Sequence, residues 1–118
     1  MKKEVTPKMV HTNTGCVLAC DIICAQYVKD TNVYRLYFKT DYKEAVTCKK
    51  QDIDKIMPYL KNMYYDKDNN LYVRLDQINA LSSFYSGCYI VYLKNSHKIF
   101  ISDDAFRKLL NSFKFINE

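Results

Sequence analysis

Residues 71–113 constrain this chain most, because three apolar runs and one amphipathic run follow one another there with little slack between them. Leu71, Val73 and Leu75 alternate with Tyr72, Arg74 and Asp76, the period of two expected of a half-buried strand. Tyr89-Ile90-Val91-Tyr92-Leu93 is apolar on both sides of the alternation, which predicts a more central strand. Asn95-Ser96 reads as a two-residue turn, since Asn tolerates the positive φ a tight hairpin demands. Residues 98–101 return as a third strand. Ser102-Asp103-Asp104 then offers an N-cap and negative charge at a helix start. Ala105, Phe106, Leu109, Leu110 and Phe113 recur at helical spacing, with Arg107, Lys108 and Lys114 on the other side.

The first half carries the same strand-and-turn signals. Residues 8–14 read as a strand with Val10 inward, and Cys16-Val17-Leu18-Ala19 as a second apolar segment closed by Asp21. Residues 22–28 begin the next strand, and Asp30-Thr31-Asn32 is a turn cluster. In residues 33–40, Tyr34, Leu36 and Phe38 face one way and Val33, Arg35 and Tyr37 the other. Asp41-Tyr42-Lys43-Glu44 reads as a hairpin loop, with residues 45–48 pairing back. At residue 51 the period changes: Ile53, Ile56, Met57 and Leu60 form a helical stripe, limited by Pro58 to a short helix or a kink near Met57. Residues 63–70 and 82–87 read as polar loops. The expected architecture is mostly β: elongated, stacked antiparallel sheets of about eight to ten short strands, one short middle helix and a C-terminal helix.

With 118 residues and 48% hydrophobic residues, the chain is expected to form one domain, 1–118, with an ordered core over 8–114. No apolar run approaches the roughly 18 residues of a membrane span. Lys2-Lys3 is followed by Glu4 rather than by the apolar core of a signal peptide, so a cytoplasmic protein without membrane contact is expected. Five cysteines without paired spacing argue against a disulfide scaffold. The net charge of +5 favours polyanionic partners, although the 18 basic residues are scattered.

Motifs for catalysis are missing: there is no G-x-S-x-G, no H-E-x-x-H and no glycine-rich phosphate loop. His11 and His97 read as surface or edge residues, so the chain is expected to be no enzyme and to need no cofactor. Cys16, Cys20 and Cys24 recur every four residues but lack a matching ligand pair, and core packing is the expected role rather than metal binding. Asp66-Lys67-Asp68-Asn69-Asn70 begins like a calcium loop and then puts Leu71 where the turn glycine belongs and Gln77 where the bidentate glutamate belongs. Tyr27, Tyr34, Tyr37 and Tyr42 interleave with Lys29, Arg35, Lys39 and Lys43, a mixture suited to stacking and phosphate pairing and equally to the wet face of a sheet.

Taken in order, these segments resemble a LytTR-type DNA-binding domain, the output module of many bacterial response regulators. Val17-Leu18-Ala19-Cys20-Asp21-Ile22-Ile23 resembles that family's second strand leading into its "D-I-x-Y" segment. Residues 51–58, ending at Pro58, resemble its short helix, and Tyr64-Tyr65 falls at its aromatic pair. Leu71-Tyr72-Val73-Arg74-Leu75-Asp76-Gln77-Ile78 resembles "Y-I-V-N-L-D-H-I". Residues 89–102 resemble "V-x-L-K-N-G-x-x-I-P-V-S", and the helix from Ala105 resembles the closing "Y-x-K-L-K".

The resemblance implies an elongated β fold that contacts successive major grooves of duplex DNA through loops. It carries three regions over, to residues 29–35, to residues 68–74 and to Asp103-Asp104, and makes Lys29, Asn32, Arg35, Lys67, Asn69 and Arg74 the expected DNA-binding residues. Lys and Arg would lie on phosphate, and Asn or Arg on base edges. The chain departs from the family where Asp68-Asn69 replaces "H-R", where Arg74 replaces "N" and where Asp103-Asp104 replaces "R". Free carboxylates there would repel phosphate. Two functions follow as expectations: a transcriptional regulator without a receiver domain, switched by a regulatory protein partner, or a degenerate LytTR-like fold used for protein interaction or homodimerisation.

Overall fold

The computed structural model describes residues 6–40 and 45–117, so the expected hairpin loop at Asp41-Tyr42-Lys43-Glu44 lies outside the described residues. Strands β1 (Met9–Thr12) and β2 (Gly15–Leu18) form an N-terminal hairpin. A 3-10 turn over Ala19–Asp21 leads into β3 (Ile22–Tyr27), which runs antiparallel to β4 (Val33–Phe38). β5 (Val46–Lys49) pairs back on β4 and passes directly into helix α1 (Lys50–Ile56). A 3-10 turn over Met57–Tyr59 ends that helix at Pro58, as the missing proline N–H requires. β6 (Met63–Asp66) and β7 (Leu71–Arg74) form a second hairpin, and β7 docks on β3. The chain closes with β8 (Ile78–Tyr85), β9 (Cys88–Leu93), β10 (Lys98–Ser102) and helix α2 (Asp103–Leu110).

The architecture is mostly β, in three antiparallel sheets: β1-β2, β5-β4-β3-β7-β6 and β10-β9-β8. Its extents are 47 × 39 × 26 Å, flattened more than elongated. The five-stranded sheet is covered on both faces. Tyr34, Leu36, Phe38, Val46 and Tyr72 pack on one side against Ile53 of α1, Met57 and Val10. On the other side Ile23, Cys24, Tyr37, Leu71 and Val73 meet Val91, Leu93, Ile99 and Ile101 of the three-stranded sheet and Ala105 and Leu109 of α2. A register shift between Ile22 and Cys24 lets both Ile23 and Cys24 join this second layer.

This two-sided cover corrects several expectations. Tyr72 is buried rather than outward, because β7 lies inside the sheet between β3 and β6. The strand stops at Arg74, and Leu75–Gln77 is a 3-10 turn. Met63–Asp66, expected as loop, is the edge strand β6, since cross-strand pairing to β7 outweighs its weak alternation. Residues 82–85, also expected as loop, complete β8, and only Ser86 and Gly87, with Gly87 at φ +75°, form the turn. In the β9–β10 connection Ser96, not Asn95, takes the positive φ of 74°. Asn95 instead uses its side chain, donating Nδ2 to the Phe38 carbonyl and accepting from the His97 N–H. Core packing describes Cys24 and Cys48 but not Cys16 and Cys20, which are exposed. Ser102 caps α2 as expected, its Oγ accepting from the Ala105 N–H at 3.2 Å.

Candidate nucleic-acid interface

Antiparallel pairing collects three chain segments at one end of the five-stranded sheet. β3 ends beside the start of β7, where the Tyr27 N–H donates to the Asn70 carbonyl. The β3–β4 connection therefore lies next to the β6–β7 connection. The junction of β10 with α2 joins them, because Ser102 Oγ donates to Asn69 Oδ1 and Asn69 Nδ2 donates to Asp104 Oδ2 at 2.9 Å. Positive φ at Asp30 and Asn70 makes the two sharp connections possible, and both residue types tolerate it. The loop ends of the three regions that the family resemblance singles out thus share one surface, from which the 68–74 region runs away along β7, and Lys29 and Asn69 line a shallow groove there with Gln26, Phe100 and Ser102.

The six expected contact residues divide. Lys29, Asn32 and Lys67 are exposed on these connections, and no carboxylate among the described residues lies within 4.0 Å of either lysine ammonium. The Asn32 carbonyl also receives the Lys50 N–H, which ties the loop to the start of α1. Arg35 is exposed on β4, two residues in from the loop, with its guanidinium 5.2 Å from the Tyr37 ring centroid. Asn69 is engaged on every side: its N–H and Nδ2 donate to Asp66, and Nδ2 also to Asp104. Arg74 sits at the far end of β7, on the α1 face, where it donates to the Cys20 carbonyl and to Asp76 at 3.1 Å. Its Nε is buried without a partner among the described residues. Asp76 is pushed up by desolvation and pulled down further by hydrogen bonds from Arg74 and Asn62, so its carboxyl titrates below the ordinary range.

The acidic residues expected to face phosphate are already occupied. Lys108 Nζ lies 2.6 Å from Asp68, 3.1 Å from Asp104 and 4.0 Å from the buried Asp66. Arg107 pairs with Asp103 at 3.0 Å. Hydrogen bonds from Asn69 and Lys108 hold the Asp104 carboxyl below its usual range, and those to Asp68 and Asp104 push the Lys108 ammonium up. Sequence reading missed Lys108 as the centre of this cluster. The i, i+4 spacing of Asp104 and Lys108 signalled one contact, but the links to Asp66 and Asp68 cross 40 residues or more and leave no local signature.

Among the described tyrosines of the set that suited either stacking or the wet face of a sheet, Tyr27, Tyr34 and Tyr37 form no exposed stack. Tyr34 and Tyr37 are core residues, 0% and 7% exposed, and Tyr27 donates its hydroxyl to the Thr31 carbonyl; Tyr42 lies outside the described residues. Tyr34 and Tyr72 both donate to Asp54 Oδ1 of α1, at 3.2 and 2.8 Å. Burial first, and then Asp54, raises both phenols well above their usual range. Another pairing that sequence reading missed joins His11 and Cys16, cross-strand neighbours in the β1–β2 hairpin, with Cys16 Sγ 3.3 Å from His11 Nδ1. Among the described residues, no helix is long and apolar enough to cross a membrane.

No protein-family model matches the sequence, and no curated protein does. A solved structure does match: the LytTr DNA-binding domain of a methyl-accepting/DNA response regulator from Bacillus cereus, 14% identical, with a TM-score of 0.57 over 91% of this chain and 98% of that one. The order of strands and helices expected from the sequence and the superposition of nearly the whole chain agree, and the protein is a LytTR-like domain in its fold.

Proposed function

We propose that this domain binds duplex DNA through the loop-bearing end of its five-stranded sheet and acts as a cytoplasmic transcriptional regulator. The observation that carries this reading is the convergence of the β3–β4 loop, the β6–β7 loop and the start of α2 on one surface, from which the exposed Lys29 and Lys67 project. The likeness in fold to a DNA-binding domain supports it. Lys29 and Lys67 contact phosphates, where release of condensed counterions supplies affinity. Asn32 is the side chain offered to a base edge, and Arg35 reaches the flanking backbone. Asn69 and Arg74 act as positioning residues: the first fixes the β6–β7 loop against α2, the second anchors the other end of β7.

The carboxylates at this end do not defeat the reading. Asp68 and Asp104 share Lys108, and Asp103 holds Arg107, so each meets a cation within 3.1 Å before DNA arrives. Repulsion of phosphate is then that of partly neutralised pairs rather than of free anions. Fluorescence anisotropy on mixed-sequence duplexes, from low to physiological salt, tests the proposal. Binding that weakens steeply with salt supports it, and no binding at low salt refutes it.

A further inference from the structure

Residues 78–93 contain no Glu, Lys, Arg, His or Asp, in a chain whose 118 residues include 18 basic and 13 acidic ones. This charge-free run is the β8–β9 hairpin, and β8 is one edge of the three-stranded sheet. The other edge is engaged at one point: on β10, Gln26 Nε2 donates to the Phe100 carbonyl at 2.7 Å. Among the described residues, the polar main-chain groups of β8 bond to β9, at the Ile78 N–H to the Leu75 carbonyl of the preceding turn, and at the Ser83 carbonyl to the Ser82 hydroxyl. This eight-residue edge carries neither charge nor proline, two of the usual devices that stop strand addition, and its register shifts at 78/80 and 83/85 leave residues 80–83 between them regular.

Both sides of this edge present apolar groups, with Asn79 and Lys114 also lining the inner side. On the outer face Phe84 is 56% exposed and rests edge-on against Phe100, 5.3 Å between centroids, beside the exposed Tyr85. On the inner side a groove runs between Leu81 of β8 and Phe106, Leu110 and Phe113 of the α2 region. An added strand would lay alternate side chains into this groove and against the aromatic pair.

We propose that the strand added here is β8 of a second copy, antiparallel across a twofold axis, joining two three-stranded sheets into one of six. The argument for a second copy is charge. In a twofold antiparallel pair the residue on the axis faces its own copy, so a charge at the centre would meet its own sign. A strand that pairs with a different sequence has no such restriction and could carry complementary charges. The chain has a net charge of +5, which opposes self-association elsewhere on its surface, and β8 is the edge from which charge is missing.

Register shifts at residues 78/80 and 83/85 leave 80–83 as the regular stretch, and an axis through Ser82 lies within it. That register sets Ser82 against Ser82 and the small Ala80 against Phe84, with Ile90 beside Ser82 on β9.

Sedimentation of the full chain, from micromolar to millimolar concentration, tests this with two variants, Ser82→Lys and Ser82→Glu. The expected result is a monomer–dimer equilibrium for the parent chain and monomers for each variant alone. An equimolar mixture of the two variants regains the dimer, because lysine then faces glutamate across the axis. That recovery also shows both variants to be folded. A parent chain that stays monomeric, that assembles without limit, or that still dimerises with either substitution overturns the proposal, as does a mixture that stays monomeric.

Discussion

Two helix residues each gather several polar partners, and they do so in opposite settings. Asp54 of α1 accepts from the hydroxyls of Tyr34 and Tyr72, which belong to residues 0% and 1% exposed, and from Lys50 at 2.6 Å. Lys108 of α2 meets Asp68 and Asp104, both largely exposed, on the open surface of the loops. A buried hydroxyl stripped of its acceptor bears its full desolvation cost, whereas exposed ion pairs are screened by water and salt. The first cluster therefore holds the sheet to α1. The second shapes the loops and sets which charges they show. Stability and DNA contact should then respond to different substitutions.

Asp54→Ala is the strongest test of that division. It leaves two buried phenols without an acceptor, at a cost of about 2–3 kcal/mol, or roughly 10 °C in Tm. Calorimetry should show this loss, and Asp54→Asn, which keeps one acceptor oxygen, should lose less. Equal Tm for Asp54→Ala and the parent would break the comparison. At the loops the double variant Lys29→Ala/Lys67→Ala should leave Tm unchanged. It should lower the slope of log affinity against log salt by about 2, one phosphate per lysine. An unchanged slope would move the contact surface elsewhere.

Arg74→Met sharpens the same line, since the family resemblance puts Arg74 at a base-reading position while its bonds hold it at the far end of β7. Losing its bonds to the Cys20 carbonyl and the partly screened Asp76 should cost about 1 kcal/mol in chemical denaturation with duplex affinity unaltered. A selective loss of affinity would restore it as a contact residue.

The smallest effect is that of pH. Asp104 titrates below its usual range, so its contribution is complete above the ordinary aspartate value of about 3.9 and fades as pH falls through the folded value. Lys108 is raised, so its contribution is complete below about 10.4 and fades as pH rises through its folded value. The Asn69 side-chain amide resonance should therefore hold steady between about pH 4 and 10 and move only below that window or above it.

Much of this was legible in the sequence. The alternation of Tyr34, Leu36 and Phe38, the Ser102 cap and the stop at Pro58 are local signals that the structure keeps. What local patterns could not supply was burial from two sides. Tyr72 alternates as an outward residue, yet α1 covers that face of β7. Residues 82–85 look like loop because β8 is an edge that needs no apolar alternation to pair with β9. At the candidate interface, which connections would converge depended on strand order, and which basic residues would be consumed depended on long-range partners. Lys108 is drawn into an ion-pair cluster and Lys67 is not, among the described residues, and only the approach of α2 to the β6–β7 loop distinguishes them.

The location of the contact surface is the claim on which the functional account rests. The most direct measurement is an amide chemical-shift titration of the labelled domain with a short duplex. Perturbations concentrated at residues 28–32, 67–70 and 102–104 are the expected result. Shifts confined instead to the β8–β9 hairpin or to the Arg74 end of β7, with those three segments silent, would contradict it.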